Sequence, residues 1–402
     1  MSMTRKTIIS LWGSSGVGKS ALYQLMRGGQ AHLVEVPLLR EAMAAGFAEF
    51  DRATALLVRA EGRPPLEPVI RQAIGDKAFL VSDLGILQEE MAAECPDYRT
   101  VVCCLFVYPW LVEARRNIRY RFHPTEPSRQ KTDGVLPDRA LVDYVAQTLI
   151  GDLGVETILV DASDYPLRPM TVEEAYAMVD SQPSPVQLPP VESLYQQCLW
   201  IAGELHGSQV PDRQQFERQR LDSILPPDLT GKSILDIGAS EGGMSYEALH
   251  RGALYATAVE QRQAQVELMR HIRTARQLPM TVCHLDVRQG RLPPLAVHFT
   301  ETRYDLTLLL NVLHHFEDPL PLLDEALDLS ERLILETAFG LGKVPYKAGW
   351  DPYPNATHLP PEWVRRVAEG KGFRLAAIEV SDMCPGQRLI YRLERVLPTT
   401  PD

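Results

Sequence analysis

Twice in this chain an apolar, strand-like run breaks into a glycine-rich turn and then into a helix-forming segment. Near the start, Thr7-Ile8-Ile9-Ser10-Leu11-Trp12 leads into Gly13-Ser14-Ser15-Gly16-Val17-Gly18-Lys19-Ser20. Past the middle, Ser233-Ile234-Leu235-Asp236-Ile237 leads into Gly238-Ala239-Ser240-Glu241-Gly242-Gly243. Glycine reaches backbone angles that side chains forbid, so such a turn lets main-chain N–H groups approach a ligand at the mouth of a sheet. A strand, tight turn and helix of this kind commits each half to β–α–β winding.

The pattern around both turns agrees. In the first half the strand candidates are Thr7–Trp12, His32–Val36, Ala78–Ser82, Thr100–Tyr108 and Thr157–Val160. In the second they are Ser233–Ile237, Ala256–Val259, Thr281–Leu285, Asp305–Asn311, Arg332–Glu336, Arg374–Val380 and Leu389–Leu393. Alternation with amphipathic helices predicts an α/β protein of two doubly wound domains, each a parallel sheet with helices on both faces. The 402 residues fit two domains better than one. Residues 181–190, Ser-Gln-Pro-Ser-Pro-Val-Gln-Leu-Pro-Pro, carry four prolines and read as a stiff linker. The expected domains are therefore 1–180 and 191–402, the second with a mostly helical lead-in over Val191–Leu225.

The net charge is −11, which disfavours broad nucleic-acid binding. Cys95, Cys103, Cys104, Cys198, Cys283 and Cys384 form no C-x-x-C pair, so buried free thiols are expected. No run is long and apolar enough to span a membrane and no signal peptide is visible; both point to a cytoplasmic protein.

In the first half, Gly13, Gly18, Lys19 and Ser20 satisfy G-x-x-x-x-G-K-[ST]. Backbone N–H groups from Gly13, Ser14, Ser15, Gly16, Val17 and Gly18 would cradle phosphates, Lys19 would reach the β/γ-phosphates and Ser20 would ligate Mg²⁺. Asp83, after the strand Ala78–Ser82, is a second Mg²⁺ candidate or an acceptor-orienting acid. Arg115, Arg116, Arg119, Arg121, Arg129 and Lys131 crowd one stretch that suits a phosphate-covering lid, with Arg115 and Arg119 the foremost catalytic candidates. A solvated helix face is the plainer alternative. On these residues, roughly 5–165 resembles a P-loop kinase of the nucleotide-kinase group, with a loop like that of guanylate kinases. The resemblance implies ATP and Mg²⁺ as cofactors. It suggests Glu35, Arg40 and Asp51 near the acceptor and the Asp161-Ala162-Ser163 turn near adenine, without supporting GMP specificity.

In the second half the turn after Asp236 has no counterpart of Lys19, so nothing there grips a triphosphate. Small residues at Gly238, Ala239, Ser240 and Gly242 let a cofactor approach the backbone. The next strand ends in Glu260, placed to accept from ribose hydroxyls. The third gives Asp286-Val287, and the fourth runs into Asn311-Val312-Leu313-His314-His315. In this order the residues resemble class I S-adenosylmethionine-dependent methyltransferases over roughly 228–395, although that family often has glycine at the place of Ser240. A nicotinamide-binding fold shares the glycine logic and is the rival. The resemblance implies S-adenosylmethionine on Asp236, Gly238–Ser240, Gly242, Glu260, Asp286 (adenine amino group), Val287 and Asn311. Asn311 and His314 are the catalytic candidates, with a packed, hydrogen-bonded histidine as the alternative for His314 or His315. Lys343, Tyr346, Trp350, Tyr353 and His358 lie in a loop expected to cover the acceptor.

The leading expectation is a bifunctional kinase and methyltransferase acting on one small molecule, glycan or its phosphate. Two alternatives stand beside it. One is modification of a nucleic-acid end or base, favoured by the arginine patch with Tyr120 and Phe122 and opposed by net charge. The other is a methyltransferase gated by a nucleotide-binding switch.

Overall fold

The computed structural model describes residues 7–13, 19–50, 78–82, 99–122, 138–186, 188–190, 198–208, 210–289, 291–293, 303–338, 359–381 and 388–396. The described residues up to Gln182 form one compact unit and those from Pro183 onward a second. Among the described residues no helix is long and apolar enough to cross a membrane.

The first unit is built on β1 (Thr7–Trp12), β2 (Phe47–Phe50), β3 (Ala78–Ser82), β4 (Arg99–Phe106), β5 (Thr157–Asp161) and β6 (Arg168–Met170), in the order β2-β3-β1-β4-β5-β6. All pairs are parallel except β5 with β6. The uncharged run Val101–Phe106 explains why β4 sits centrally: every residue in it is buried, as a strand covered on both faces must be. β1 is followed along the chain by α1 (Lys19–Arg27) and α2 (Pro37–Ala45). After β4 come α3 (Pro109–Phe122), then α4 (Asp138–Asp143), which continues to Asp152 with wider π-type turns, and α5 (Val172–Val179). Thr171 and Glu174 close a reciprocal capping box on α5.

One expected strand is absent here. His32–Val36 opens as a 3-10 turn over Ala31–Leu33. It then makes a brief bridge, Glu35 N–H donating to Leu167 O and Leu167 N–H to Leu33 O. Pro37 starts α2 immediately afterwards, leaving too little chain for a sheet strand. Leu33, Val34 and Val36 are apolar because they are buried, and the edge strand is Phe47–Phe50.

The second unit opens with a hairpin, β7 (Cys198–Ile201) and β8 (Glu204–Gly207), where a helical lead-in was expected. Ala202 and Gly203, both at positive φ, make its two-residue turn. Among the described residues of that stretch, only α6 (Pro211–Ile224) is helical. The main sheet holds β9 (Ser233–Ile237), β10 (Tyr255–Glu260), β11 (Met280–His284), β12 (Leu306–Leu310), β13 (Arg332–Ala338), β14 (Phe373–Val380) and β15 (Arg388–Arg395), ordered β11-β10-β9-β12-β13-β15-β14. The first five run parallel; β15 is antiparallel to both neighbours, which corrects the all-parallel expectation. β14 and β15 are joined by too few residues for a helical crossover, so they must form a hairpin. Its second strand slides in beside β13. Helices α7 (Gly243–His250), α8 (Gln263–Arg276), α9 (Leu320–Asp328) and α10 (Pro361–Gly370) complete the layers. β9 is buried at every position, and the chain winds from it first toward β11 and then back to β12. The crevice beside its carboxyl end is the switch point where such sheets bind ligands.

Candidate active site

β9 ends in a turn that only small residues can make. Gly238 sits at φ 77° and Gly242 at φ 87°. A Cβ on Gly238 would lie 2.5 Å from Val312 Cγ2, and one on Gly242 2.8 Å from the Tyr246 ring. Ser240, where a glycine is common in the resembling family, adopts φ 53° as well. The turn is sewn to β10: Gly238 and Ala239 N–H groups both donate to Val259 O, at 2.8 and 2.9 Å.

Glu260, at the end of β10, organises the mouth. Its carboxylate accepts from Ser240, Gln261 and Arg262 N–H groups, each at 2.9 Å, and the residue is only 7% exposed. Three backbone donors hold the carboxylate in one orientation. Oε1 accepts two of these and Oε2 one, which leaves a lone-pair direction on Oε2 to accept from a ribose hydroxyl.

Asp286 lies beyond β11 and accepts from Arg288 Nε at 2.8 Å, Arg288 Nη2 at 2.7 Å and Gln289 Nε2 at 3.1 Å. The Arg288 bond holds its carboxyl below the usual range. An adenine amino group at Asp286 would share the carboxylate with Arg288 or displace it. Val287 is half-buried in the same turn.

Three expectations change in detail. Asp236 is 2% exposed and accepts from Ser245 Oγ at 2.8 Å, so it braces β9 against α7 instead of facing the mouth. Burial pushes its carboxyl up to about 6. Asn311, at φ 60°, donates its side-chain amide to the Glu336 carboxylate, and its backbone N–H goes to Glu336 O at 2.8 Å. It fastens β12 to β13. His314 is 3% exposed with the His315 ring centroid 4.4 Å away. Burial, then His315 and Arg388, lower its pKa to about 3, too weak a base to take a proton near neutrality. The alternative of a packed histidine describes it better than general-base catalysis.

Sequence patterning missed the group behind this edge. Glu336 is 1% exposed and also receives Arg220 from α6 (3.2 Å) and the Ser381 hydroxyl. An acid closing the apolar run Leu333-Ile334-Leu335 was the available clue; nothing in the sequence pointed to Arg220.

In the first unit, β1 lies between β3 and β4 in the sheet. Lys19 and Ser20 open α1, and Lys19 Nζ donates to Gly13 O at 2.6 Å. Arg115 departs from the lid picture. It is 1% exposed and donates to the Ala162 and Ser163 carbonyls at 3.0 and 3.4 Å, bracing the turn after β5 from inside. Asp161 in that turn accepts from Ser163 N–H and from Arg168 Nε at 3.0 Å. Glu35 and Arg40 are exposed. Ser14, Ser15, Gly16, Val17, Gly18, Asp51, Asp83, Arg129, Lys131, Lys343, Tyr346, Trp350, Tyr353 and His358 lie outside the described residues, as do the side chains of Ser20, Arg119, Tyr120 and Phe122. Among the described residues no group of three or more His, Cys, Asp or Glu is placed to hold a metal ion.

A family model described as a methyltransferase domain matches residues 235–330, from within β9 to the end of α9. No curated protein matches the chain in sequence. Solved structures with a similar course include magnesium protoporphyrin IX methyltransferase (ChlM) from Synechocystis PCC 6803 with bound SAM, 19% identical, covering 48% of this chain and 87% of that one, TM-score 0.35. A second is an S-adenosylmethionine dependent methyltransferase from Mesorhizobium loti, 18% identical, covering 45% and 98%, TM-score 0.34. A third is the N-terminal domain of EvdMO1 in the presence of SAH and D-fucose, 18% identical, covering 48% and 86%, TM-score 0.33. The matched segment lies within the unit that begins at Pro183, which thus carries the sequence of a methyltransferase domain over residues 235–330.

Proposed function

We propose that the chain is a bifunctional transferase: the second unit methylates a small-molecule acceptor, and the first phosphorylates a hydroxyl of the same molecule using ATP and Mg²⁺. The observation that carries the methylation half is Glu260, a buried carboxylate fixed by three backbone N–H groups beside a glycine turn at a switch point. That geometry suits a ribose hydroxyl and offers nothing to a phosphate. When bound, S-adenosylmethionine supplies a methyl group activated by the sulfonium charge. Glu260 orients the ribose, Asp286 the adenine, and the Gly238–Gly242 turn admits the amino-acid end against the backbone. Transfer then depends on alignment, because buried His314 is too weak a base to take a proton near neutrality. With His314 near 3, the favoured acceptor is one that arrives deprotonated, such as a carboxylate or phosphate oxygen.

The phosphorylation half rests on the complete Gly13–Ser20 motif leaving the central strand β1 and opening α1. Lys19 would swing from Gly13 O to the β/γ-phosphates, with Ser20 and Asp83 holding Mg²⁺. Arg119 remains the arginine proposed to face the transferring phosphate. The acidic net charge speaks against a polynucleotide acceptor.

The test is incubation of the full-length protein with a metabolite mixture, isotope-labelled ATP and isotope-labelled methyl donor, followed by mass spectrometry. A product carrying both labels supports the sequential reading. Methyl label alone, with ATP left intact, would remove the kinase half; phosphate label that is never joined by methyl would remove the shared substrate.

A further inference from the structure

The seven-stranded sheet ends at β14, and among the described residues only β15 pairs with it. A sheet edge presents unpaired N–H and C=O groups and is a template for another strand. Ser381 N–H donates to Arg388 O at 3.1 Å. Alternation then turns the backbone groups of Val380 and Ile378 away from β15. The same two side chains are 60% and 40% exposed.

The side chains of this edge are ordered in a particular way. On one face, Arg374 pairs with Glu394 at 2.5 Å, and Glu379 pairs with Arg392 at 2.7 Å. On the other face lie Phe373, Leu375, Ile378 and Val380, as the cross-strand register requires. The strand Phe-Arg-Leu-Ala-Ala-Ile-Glu-Val is complementary to its own reverse about the Ala376–Ala377 midpoint. Laid antiparallel on a second copy, Arg374 meets Glu379, Leu375 meets Ile378, and Phe373 meets Val380. Every pair joins residues of the same face, so the two existing ion pairs would extend into one alternating ladder, Glu394–Arg374–Glu379–Arg392, running from one copy into the next. The irregularity between Leu375 and Ala377 falls at the midpoint, where both residues are alanine and leave room for two strands to cross. Charges on an edge usually repel foreign strands. These repel an arbitrary strand but match a second copy of this one.

We propose that β14 is a homodimer interface, pairing antiparallel with β14 of a second copy so that one sheet runs through both methyltransferase domains. The contact is isologous, with each patch meeting itself, as a two-fold dimer demands. It joins the sheets at the end opposite β11, leaving the carboxyl-end crevice beside β9 open in each copy.

Light scattering coupled to size exclusion on the full-length protein tests this. The expected mass at high concentration is twice the 45.1 kDa chain, falling toward one chain on dilution. A double variant, Ile378→Lys with Val380→Lys, changes side chains already exposed in the single chain. It should elute at 45.1 kDa while keeping the wild-type melting temperature and methyl-donor affinity. A wild-type protein that stays at one chain mass at every concentration would overturn the proposal, as would a dimer that persists in the double variant.

Discussion

β1 and β9 are each followed by a glycine and, a few residues on, by a helix. At the first, the charged side chain is Lys19, held 2.6 Å from Gly13 O. At the second it is Glu260, reached from the neighbouring strand and clasped by the turn's own Ser240 N–H. A cation beside exposed N–H groups selects an anion; a carboxylate that already consumes N–H groups selects hydroxyl donors. On the proposed function, the ligand class would be decided by which charge stands beside the glycines, not by the glycines themselves.

The contrast can be broken most sharply at its two charges. Lys19→Ala is expected to lower phosphoryl transfer by about 10²–10³-fold, the usual cost of losing one charge-stabilising donor, with methyl transfer unchanged. Parallel rate measurements on one preparation would detect any leakage between the two activities. Glu260→Ala removes a charge-assisted acceptor and should weaken methyl-donor binding by about 10–100-fold by calorimetry, with ATP binding unaffected.

Smaller effects sharpen the backbone side of the comparison. Gly238→Ala puts a Cβ 2.5 Å from Val312 Cγ2 at positive φ. A loss of about 1–2 kcal/mol from left-handed backbone alone is expected in denaturant unfolding of the second unit, with donor affinity falling as Val312 is pushed aside. An unchanged midpoint would mean the turn is less constrained than its angles indicate.

The last expectation is a pH dependence. His314 binds its proton less readily folded, near 3, than unfolded, near 6.5. Its contribution is therefore complete above pH 6.5 and is lost as pH falls toward 3, by about 1 kcal/mol per unit. Asp236 works oppositely: raised to about 6, it penalises the folded state as pH rises from about 4 to 6. His314→Asn should flatten the acid limb of the stability curve and Asp236→Asn should steepen it. The reverse order would show that these two groups are not buried as described.

Much of this was legible because β9, β10 and β12 are mostly apolar, fully buried runs whose ends carry the chemistry. Glu260 could be picked out from its place at the end of a strand, and Asp286 from the family resemblance. What could not be read had physical causes. Asp236 and Asn311 stand at the right sheet edge, yet their side chains turn to Ser245 and Glu336, partners that only tertiary packing supplies. Arg115 looked like a surface charge in an arginine run, but α3 rolls it inward onto two carbonyls. His32–Val36 has strand composition, and Pro37 cut it short. The β15 insertion depends on which edge a hairpin finds, which no local pattern encodes.

The central claim is that one chain carries a phosphate-selecting turn and a hydroxyl-selecting turn that act independently. Calorimetric titration of wild-type, Lys19→Ala and Glu260→Ala proteins with ATP–Mg²⁺ and with S-adenosylmethionine tests it directly. Crossed losses are predicted, ATP binding failing only in the lysine variant and methyl-donor binding only in the glutamate variant. A wild-type protein that takes up either ligand alone, or a variant that loses both, would contradict it.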